Sequence, residues 1–359
     1  MLITKYIQSI VNVLSANENK LNELDAAIGD GDHGSNVLRG FKAILEQEHS
    51  FTSESLIEKD LMLCAQQLMS KIGGSSGPLL GSAFMALAVA FKGKNTFTNQ
   101  DIAQGLQMAF DRVSQLGKSQ IGEKTMLDAL YPTIATIKNT PTLLDFTQAA
   151  FAANKGANDT IPMLAKKGRA SYLGERSIGH MDPGACSIAL IFSALTKVNE
   201  IDQNVKPQIN STNTSKHETN NDFKLLPITK PVSILLVSHS EALAKATLQF
   251  ASEMKTNDFI FEYVAGIENG KLFGTDPQEI KLHLQKITIE AEALIIYDLG
   301  SSKMNSEMAI SLLPPEYAQR IKISNCAFVE GTIIAVSSNN TMKANELCEI
   351  VESQVKVTK

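Results

Sequence analysis

Three carboxylates, Asp25, Asp30 and Asp32, fall within eight residues of the segment LDAAIGDGDHGSN, interleaved with Gly29, Gly31 and Gly34. Hard divalent cations such as Mg²⁺ are held by a few carboxylates together with substrate phosphates, and glycine lets a backbone bend close to a ligand. Aspartate and glycine also populate ordinary turns. Three aspartates followed at once by His33-Gly34-Ser35-Asn36 at the start of an apolar-periodic helix favour a metal–phosphate site. The helix start around Ser35 and Asn36 is expected to offer free amides and a positive dipole end to a phosphate. His33 has the chemistry of a base, a ligand or a loop-ordering group; beside three carboxylates, ordering the loop or touching phosphate is favoured. A second centre is suggested by His239 in LLVSHSEALA and Asp298 in IIYDLGS, each following a strand-like apolar run. A histidine there can accept and hand on a phosphoryl group, and a carboxylate opposite it fixes the tautomer. A histidine capping a turn is the bland alternative.

Two different grammars position these groups. Ile3, Ile7, Ile10 and Leu14 mark one helical face, and Val37, Leu38, Phe41, Ile44 and Leu45 another. Further helices are expected near 54–71, 77–92, 99–117, 124–138, 142–167 and 184–197, which makes the first half all-α. Residues 203–229 are rich in Asn, Ser and Thr and read as a flexible linker, with His217 exposed and without a role. Beyond it, strand-like runs at 232–237, 259–264, 293–297 and 320–323 alternate with helical segments at 241–254, 276–291 and 302–313. That alternation predicts a mostly parallel α/β sheet. The expected domains are therefore 1–202 and 230–359, joined by 203–229.

With 359 residues, 43% hydrophobic and 20% charged, the chain can bury two cores. A net charge of −5 argues against a nucleic-acid footprint. The longest greasy stretch, Leu79 to Phe91, is interrupted and too short to span a bilayer. The N-terminal segment lacks the look of a signal peptide, and Cys64, Cys186, Cys326 and Cys348 form no close pair. A cytoplasmic protein with no membrane partner is expected.

Three more segments carry weaker signals: GGSSGPLLG from Gly73, GEKTMLDAL from Gly122, and GRASYLGERSIGHMDPGA from Gly168. Each alone reads as helix punctuation, though Arg169 suits a phosphate. Taken in order after DGDHG, they resemble the L subunit of phosphotransferase-system-dependent dihydroxyacetone kinases over residues 1 to about 200. The resemblance implies an antiparallel eight-helix barrel holding ADP through Mg²⁺, with two ions expected. It implies Asp25, Asp30 and Asp32 as metal ligands, and His33, Gly34, Ser35 and Asn36 at the phosphates with Ser75 and Ser76 nearby. Gly117 and Met126 would line the adenine pocket, and Arg169, Met181, Asp182 and Pro183 would complete the nucleotide site.

From Pro231 onward, VSHS, GTD, DLGS and FVEGT occur in the order of the M subunit's mannose-type IIA phosphocarrier domain. This second resemblance implies His239 as the phosphorylated residue, Asp298 as its partner, and a homodimer through the C-terminal domain. Together the two imply a relay from phospho-HPr through His239 to bound ADP, and from the resulting ATP to dihydroxyacetone on a separate K-like subunit, since no segment here resembles that subunit. Some M subunits continue into further phosphocarrier domains; with one here, HPr is expected as a separate donor. Two other classes compete: a regulatory sensor of phosphorylation state, and an ATP-dependent kinase module for another acceptor.

Overall fold

The computed structural model describes residues 2–51, 56–94, 97–198, 225–267 and 270–355. The chain divides into two compact units, one helical and one α/β. Residues 203–224, including His217, lie outside the described residues.

The helical unit holds α1 (Leu2–Ile28), α2 (His33–Glu46), α3 (Ile57–Lys71), α4 (Ser76–Ala90), α5 (Asn99–Gly117), α6 (Met126–Asn139), α7 (Thr147–Asp159) and α8 (Pro183–Thr196). Each helix packs on its neighbour in the chain and α8 returns to α1, closing a ring. The core inside is apolar, with Leu14, Phe41, Leu68, Leu127 and Ile137 almost fully buried. Consecutive packed helices run antiparallel, mostly through short connections and, between α7 and α8, through a longer loop whose two ends meet where the Asp182 N–H donates to Thr160 Oγ1. Alternate helices therefore begin at the same end: α2, α4, α6 and α8 present their N-termini where α1, α3, α5 and α7 finish.

Two expectations shift. The first helix is longer than its apolar face suggested, so Asp25 belongs to the last turn of α1 and only Asp30 and Asp32 lie in the loop. The helix expected over 142–167 is confined to Thr147–Asp159. Pro162 cannot donate within a helix and disfavours helical backbone at the residue before it, and Leu144 has φ of 62° ahead of the helix. A short 3₁₀ segment, Arg169–Ser177, interrupted at Gly174, occupies the following stretch.

The α/β unit has strands β1 (Ser233–Ser238), β2 (Phe261–Ala265), β3 (Ala293–Tyr297) and β4 (Ile321–Ser324), all parallel in the order β2-β1-β3-β4. Helices α9 (Glu241–Ser252), α10 (Pro277–Ile287), α11 (Gly300–Ser311), α12 (Pro315–Ala318), α13 (Phe328–Ser337) and α14 (Ala344–Gln354) cover it. Ile234, Leu236, Leu294 and Ile296 face α9, α13 and α14, whereas Leu235, Val237 and Ile295 face α10 and α11. Both faces of β1 and β3 are buried, which is why these strands read as continuous apolar runs. Leu226 and Thr229, inside the stretch expected to be linker, donate their N–H groups to Ile289 and Glu290 carbonyls, and Arg320 binds the Leu226 carbonyl. Residues 225–229 thus belong to this unit.

Candidate functional site

At one end of the helical ring, the connections after α1, α3, α5 and α7 meet. Asp25 Oδ2 accepts N–H groups from Gly31 (2.9 Å), Asp32 (3.0 Å) and His33 (3.2 Å), which winds the loop around the carboxylate. Gly31 turns with φ of 81°, and a Cβ on Gly29 would run into Asp25 Oδ1. Carboxylate oxygens of Asp25, Asp30 and Asp32 then lie within 4.8 Å of one another. Carboxylates so close repel one another unless a cation lies among them, and Asp30 already receives the Arg169 guanidinium. The donor set, all carboxylate oxygen and open to solvent at Asp30 and Asp32, fits a hard divalent cation that also holds phosphate.

His33 is buried between Ser187 Oγ on α8 (2.8 Å from Nε2) and Ser76 Oγ at the start of α4 (3.3 Å from Nδ1). Burial pushes its imidazole below the ordinary histidine range, against the pull of Asp25 and Asp32. It therefore ties α2 to α4 and α8. The expectation of free amides at the start of α2 needs correction. The Ser35 N–H goes to Asn22 Oδ1 (3.1 Å), the Asn36 N–H to the Asp32 carbonyl (2.9 Å), and the Ser35 hydroxyl to Glu18 (2.8 Å). Asn36 Oδ1 accepts from Arg39. Because α1 runs on past Glu18 and Asn22, it supplies partners that sequence spacing did not reveal. Gly34 packs against the same turn of α1, where a Cβ would meet Asn22 and Leu21.

Met126 opens α6 and is buried; a Cβ on Gly184 would lie 3.5 Å from its own. Asp182 caps α8 through the Ala185 N–H (2.7 Å), and Pro183 takes the first helical position. Burial pushes the Asp182 carboxyl up to about 7. Met181 is half-buried against the helical core. Gly117 ends α5 beside Ser119 and Leu79, and Ser75 lies in the turn ahead of α4. Sequence reasoning missed Ser187, which no motif marked, and Lys124, which read as part of a plain helix start.

In the α/β unit, β1 and β3 are neighbours whose connections leave in opposite directions, to β2 on one side and β4 on the other. This is the switch point at which parallel sheets bind ligands beyond the carboxyl ends of their strands. His239 follows β1 there and Asp298 follows β3. Asp298 Oδ1 lies 3.2 Å from His239 Nδ1, and Oδ2 accepts the His239 N–H (2.8 Å) and the Ser238 hydroxyl (2.9 Å). Ser302 Oγ lies 2.9 Å from Nδ1 and donates to Asp298 (2.6 Å). Nε2 faces Ser301 Oγ at 2.8 Å, in the first turn of α11. Ser301 and Ser302 were not singled out, although the first sits in the DLGS motif and the second follows it. The loop behind them is fastened by Asn305, whose amide donates to Thr275 O (2.9 Å) and Oγ1 (2.6 Å).

Burial opposes ionisation of Asp298, yet hydrogen bonds from His239 and Ser302 outweigh it and hold the carboxyl at about 2, below its ordinary 3.8. A depressed carboxylate stabilises the fold above its unfolded pKa and loses that contribution as pH falls from about 4 to about 2, an effect of ~2 kcal/mol. Urea unfolding of the α/β unit is therefore expected to lose more stability between about pH 5 and about pH 2.5 in wild type than in Asp298→Asn. Equal losses would mean that the Asp298 carboxyl is not depressed in the folded protein.

Two family models match the chain: the DAK2 domain over residues 27–197 and the PTS system fructose IIA component over residues 233–351. The fold and sites thus define a multidomain protein in which a DAK2 helical domain is joined to a IIA-type α/β domain. The PTS-dependent dihydroxyacetone kinase, ADP-binding subunit DhaL, of Lactococcus lactis subsp. lactis (strain IL1403) is 40% identical over 185 residues, covering 50% of this chain and 89% of that protein. The PEP-dependent dihydroxyacetone kinase, ADP-binding subunit DhaL, of Escherichia coli (strain K12) is 35% identical over 204 residues, covering 54% of this chain and 94% of that protein. The crystal structure of the dihydroxyacetone kinase from C. freundii in complex with AMP-PNP and Mg2+ aligns with 27% identity over 55% of this chain and 33% of that chain, at a TM-score of 0.43. The chain belongs to the DhaL family of dihydroxyacetone kinase ADP-binding subunits, and it carries a IIA-type domain besides. Among the described residues, no helix is long and apolar enough to cross a membrane.

Proposed function

We propose that the chain is a two-site phosphoryl relay of a PEP-dependent dihydroxyacetone kinase in the cytoplasm. His239 takes phosphate from phospho-HPr and passes it to ADP in the helical domain, and the nucleotide phosphorylates dihydroxyacetone on a separate K-like subunit. The observation that carries this reading is the His239–Asp298 pair in a IIA-type domain, on the same chain as a DhaL-type carboxylate site.

The chemistry at His239 follows from its partners. Asp298 and Ser302 occupy the Nδ1 side, so Nε2 is the nitrogen that receives phosphate. Its lone pair attacks phosphorus as the bond to the donor breaks, and positive charge spreading onto the ring is met by the Asp298 carboxylate. The first turn of α11, with the Ser301 hydroxyl, offers a positive dipole end to the phosphoryl oxygens. The histidine then presents phosphate to the nucleotide. In the helical domain, Asp25, Asp30 and Asp32 would hold Mg²⁺, as two ions, which would neutralise phosphate charge when bound. Arg169 stands beside Asp30 to meet a phosphate. Ser76 is held by His33, and Met126 with Asp182 and Pro183 forms the wall at the starts of α6 and α8. The connecting stretch keeps the two domains at high mutual concentration. A homodimer through the α/β domain is part of the same reading.

The test uses the purified chain with Enzyme I, HPr, labelled phosphoenolpyruvate and Mg²⁺–ADP. Acid-labile label on the protein that moves to nucleotide supports the relay. A folded protein that takes no label from charged HPr rejects it in favour of an ATP-dependent module; label that stays on the protein favours a phosphorylation sensor.

A further inference from the structure

Lys124 is only 1% exposed, among the largest fully buried side chains described. Lysine is almost never buried to this degree unless its charge is met. Here the ammonium donates to the carbonyls of Thr160 (2.8 Å), Met163 (3.2 Å), Ile161 (3.4 Å) and His180. The first three lie where the chain enters the 160–182 loop and the last where it leaves. Lys124 therefore gathers both limbs of one loop at its neck.

The rest of the neck is built to match. The Gly179 N–H donates to the Ile161 carbonyl (2.8 Å), and the Asp182 N–H to Thr160 Oγ1 (3.0 Å). Farther out, the Lys166 N–H reaches the Glu123 carbonyl (3.2 Å), and Ala165, Ala170 and Leu173 pack on Ile28 at the end of α1. The backbone at Lys124 adopts φ of 62°, a conformation unfavourable for a side-chain-bearing residue. Thr125 and Asp128 hold it there as a capping box at the start of α6, and Asp128 also accepts the Gly122 N–H. A strained backbone enforced on both sides, used to drive a cation into a cage of carbonyls, marks a position where the surroundings over-determine the geometry. What the cage controls is specific: the loop carries Arg169, which meets Asp30, and delivers Met181, Asp182 and Pro183 to α8.

We propose that Lys124 is a positioning residue that pins the neck of the 160–182 loop, so that Arg169 and the Met181–Pro183 turn face the carboxylate cluster. This rests on the Mg–nucleotide reading of that cluster. The lysine touches neither the nucleotide nor the metal; it acts through backbone carbonyls. Burial pulls its ammonium below the ordinary lysine range while Asp182 supports the charge, so removing the cation leaves several carbonyl dipoles crowded together with nothing to bind them.

The experiment compares full-length wild type with Lys124→Met, which keeps length and loses charge. Three readouts are taken well below the melting temperature of the variant: Mg–ADP affinity by calorimetry, hydrogen exchange across 160–182, and labelling of His239 by phospho-HPr. The expected result is a loss of nucleotide affinity of roughly tenfold or more, in the range found when a group orienting direct ligands is removed. Amides of Lys166 and Gly179 should exchange faster, and His239 labelling should not change. A folded variant whose Mg–ADP affinity stays within about twofold of wild type would make Lys124 a stabiliser only, and the proposal would fall. If Lys124→Met does not fold, Thr160→Val, which removes the hydroxyl receiving the Asp182 N–H at the same neck, is held to the same criterion. Failure of wild type to bind Mg–ADP at all would overturn the nucleotide reading and the pin with it, a result distinct from unchanged affinity in the variants.

Discussion

His239→Ala is expected to leave the protein folded and able to bind Mg–ADP, while PEP-dependent phosphorylation of dihydroxyacetone falls on the order of 10⁵-fold, as when an enzyme loses its nucleophile. No described neighbour is expected to take over, since Ser301 and Ser302 are weakly nucleophilic hydroxyls and the carboxylate beside Ser302, Asp298, is a weak base committed to four hydrogen-bond donors. The cost to folding should be modest: the imidazole lies at the carboxyl edge of the sheet, outside the apolar layers formed by β1 and β3. The decisive comparison adds ATP with the K-like partner and no HPr. If the variant then phosphorylates substrate at the wild-type rate for one turnover, the lesion is in the carrier step alone. Retention of PEP-dependent turnover in His239→Ala would remove this histidine from the mechanism.

Asp32→Asn is expected to produce the complementary phenotype. His239 should accept label normally, but Mg–ADP affinity should fall roughly a hundredfold or more, because a direct metal ligand exceeds the effect of its supporting shell. Asp32 is the cleanest of the three aspartates to test. Its carboxylate is exposed, and the Asn36 N–H is bound by its backbone carbonyl, which the substitution preserves. Asp25→Asn confounds two effects, since Asp25 Oδ2 also organises the loop through three N–H groups. Asp30→Asn removes the Arg169 partner together with a carboxylate. Calorimetric titration of Mg²⁺ and ADP into Asp32→Asn, with His239 labelling as the folding control, checks the prediction. Wild-type affinity for Mg–ADP in that variant would mean that the cluster does not hold the metal.

Local chemistry was legible from the chain alone. The carboxylates of DGD and Asp25, the histidine after an apolar run, and the change from helical to alternating periodicity all act over a few residues, where spacing determines geometry. The structure adds the capping roles of Asp182 and Asp276, whose side chains accept N–H groups at the starts of α8 and α10. Tertiary structure decided the rest. Ring closure put four helix starts at one end, which brought His33 to Ser76 and Ser187 across 43 and 154 residues. Glu18 and Asn22 became partners of Ser35 because α1 continues beyond its apolar stripe, and those contacts corrected the expected free amides. Lys124 carried no local sign of burial; its cage is made of carbonyls 36 to 56 residues away, and a backbone carbonyl has no sequence signature. In the α/β unit, strand order determined that β1 and β3 lie side by side and thereby put Asp298 against His239, 59 residues apart. Residue types define what each group can do; which groups meet depends on how distant segments of the chain exclude water together.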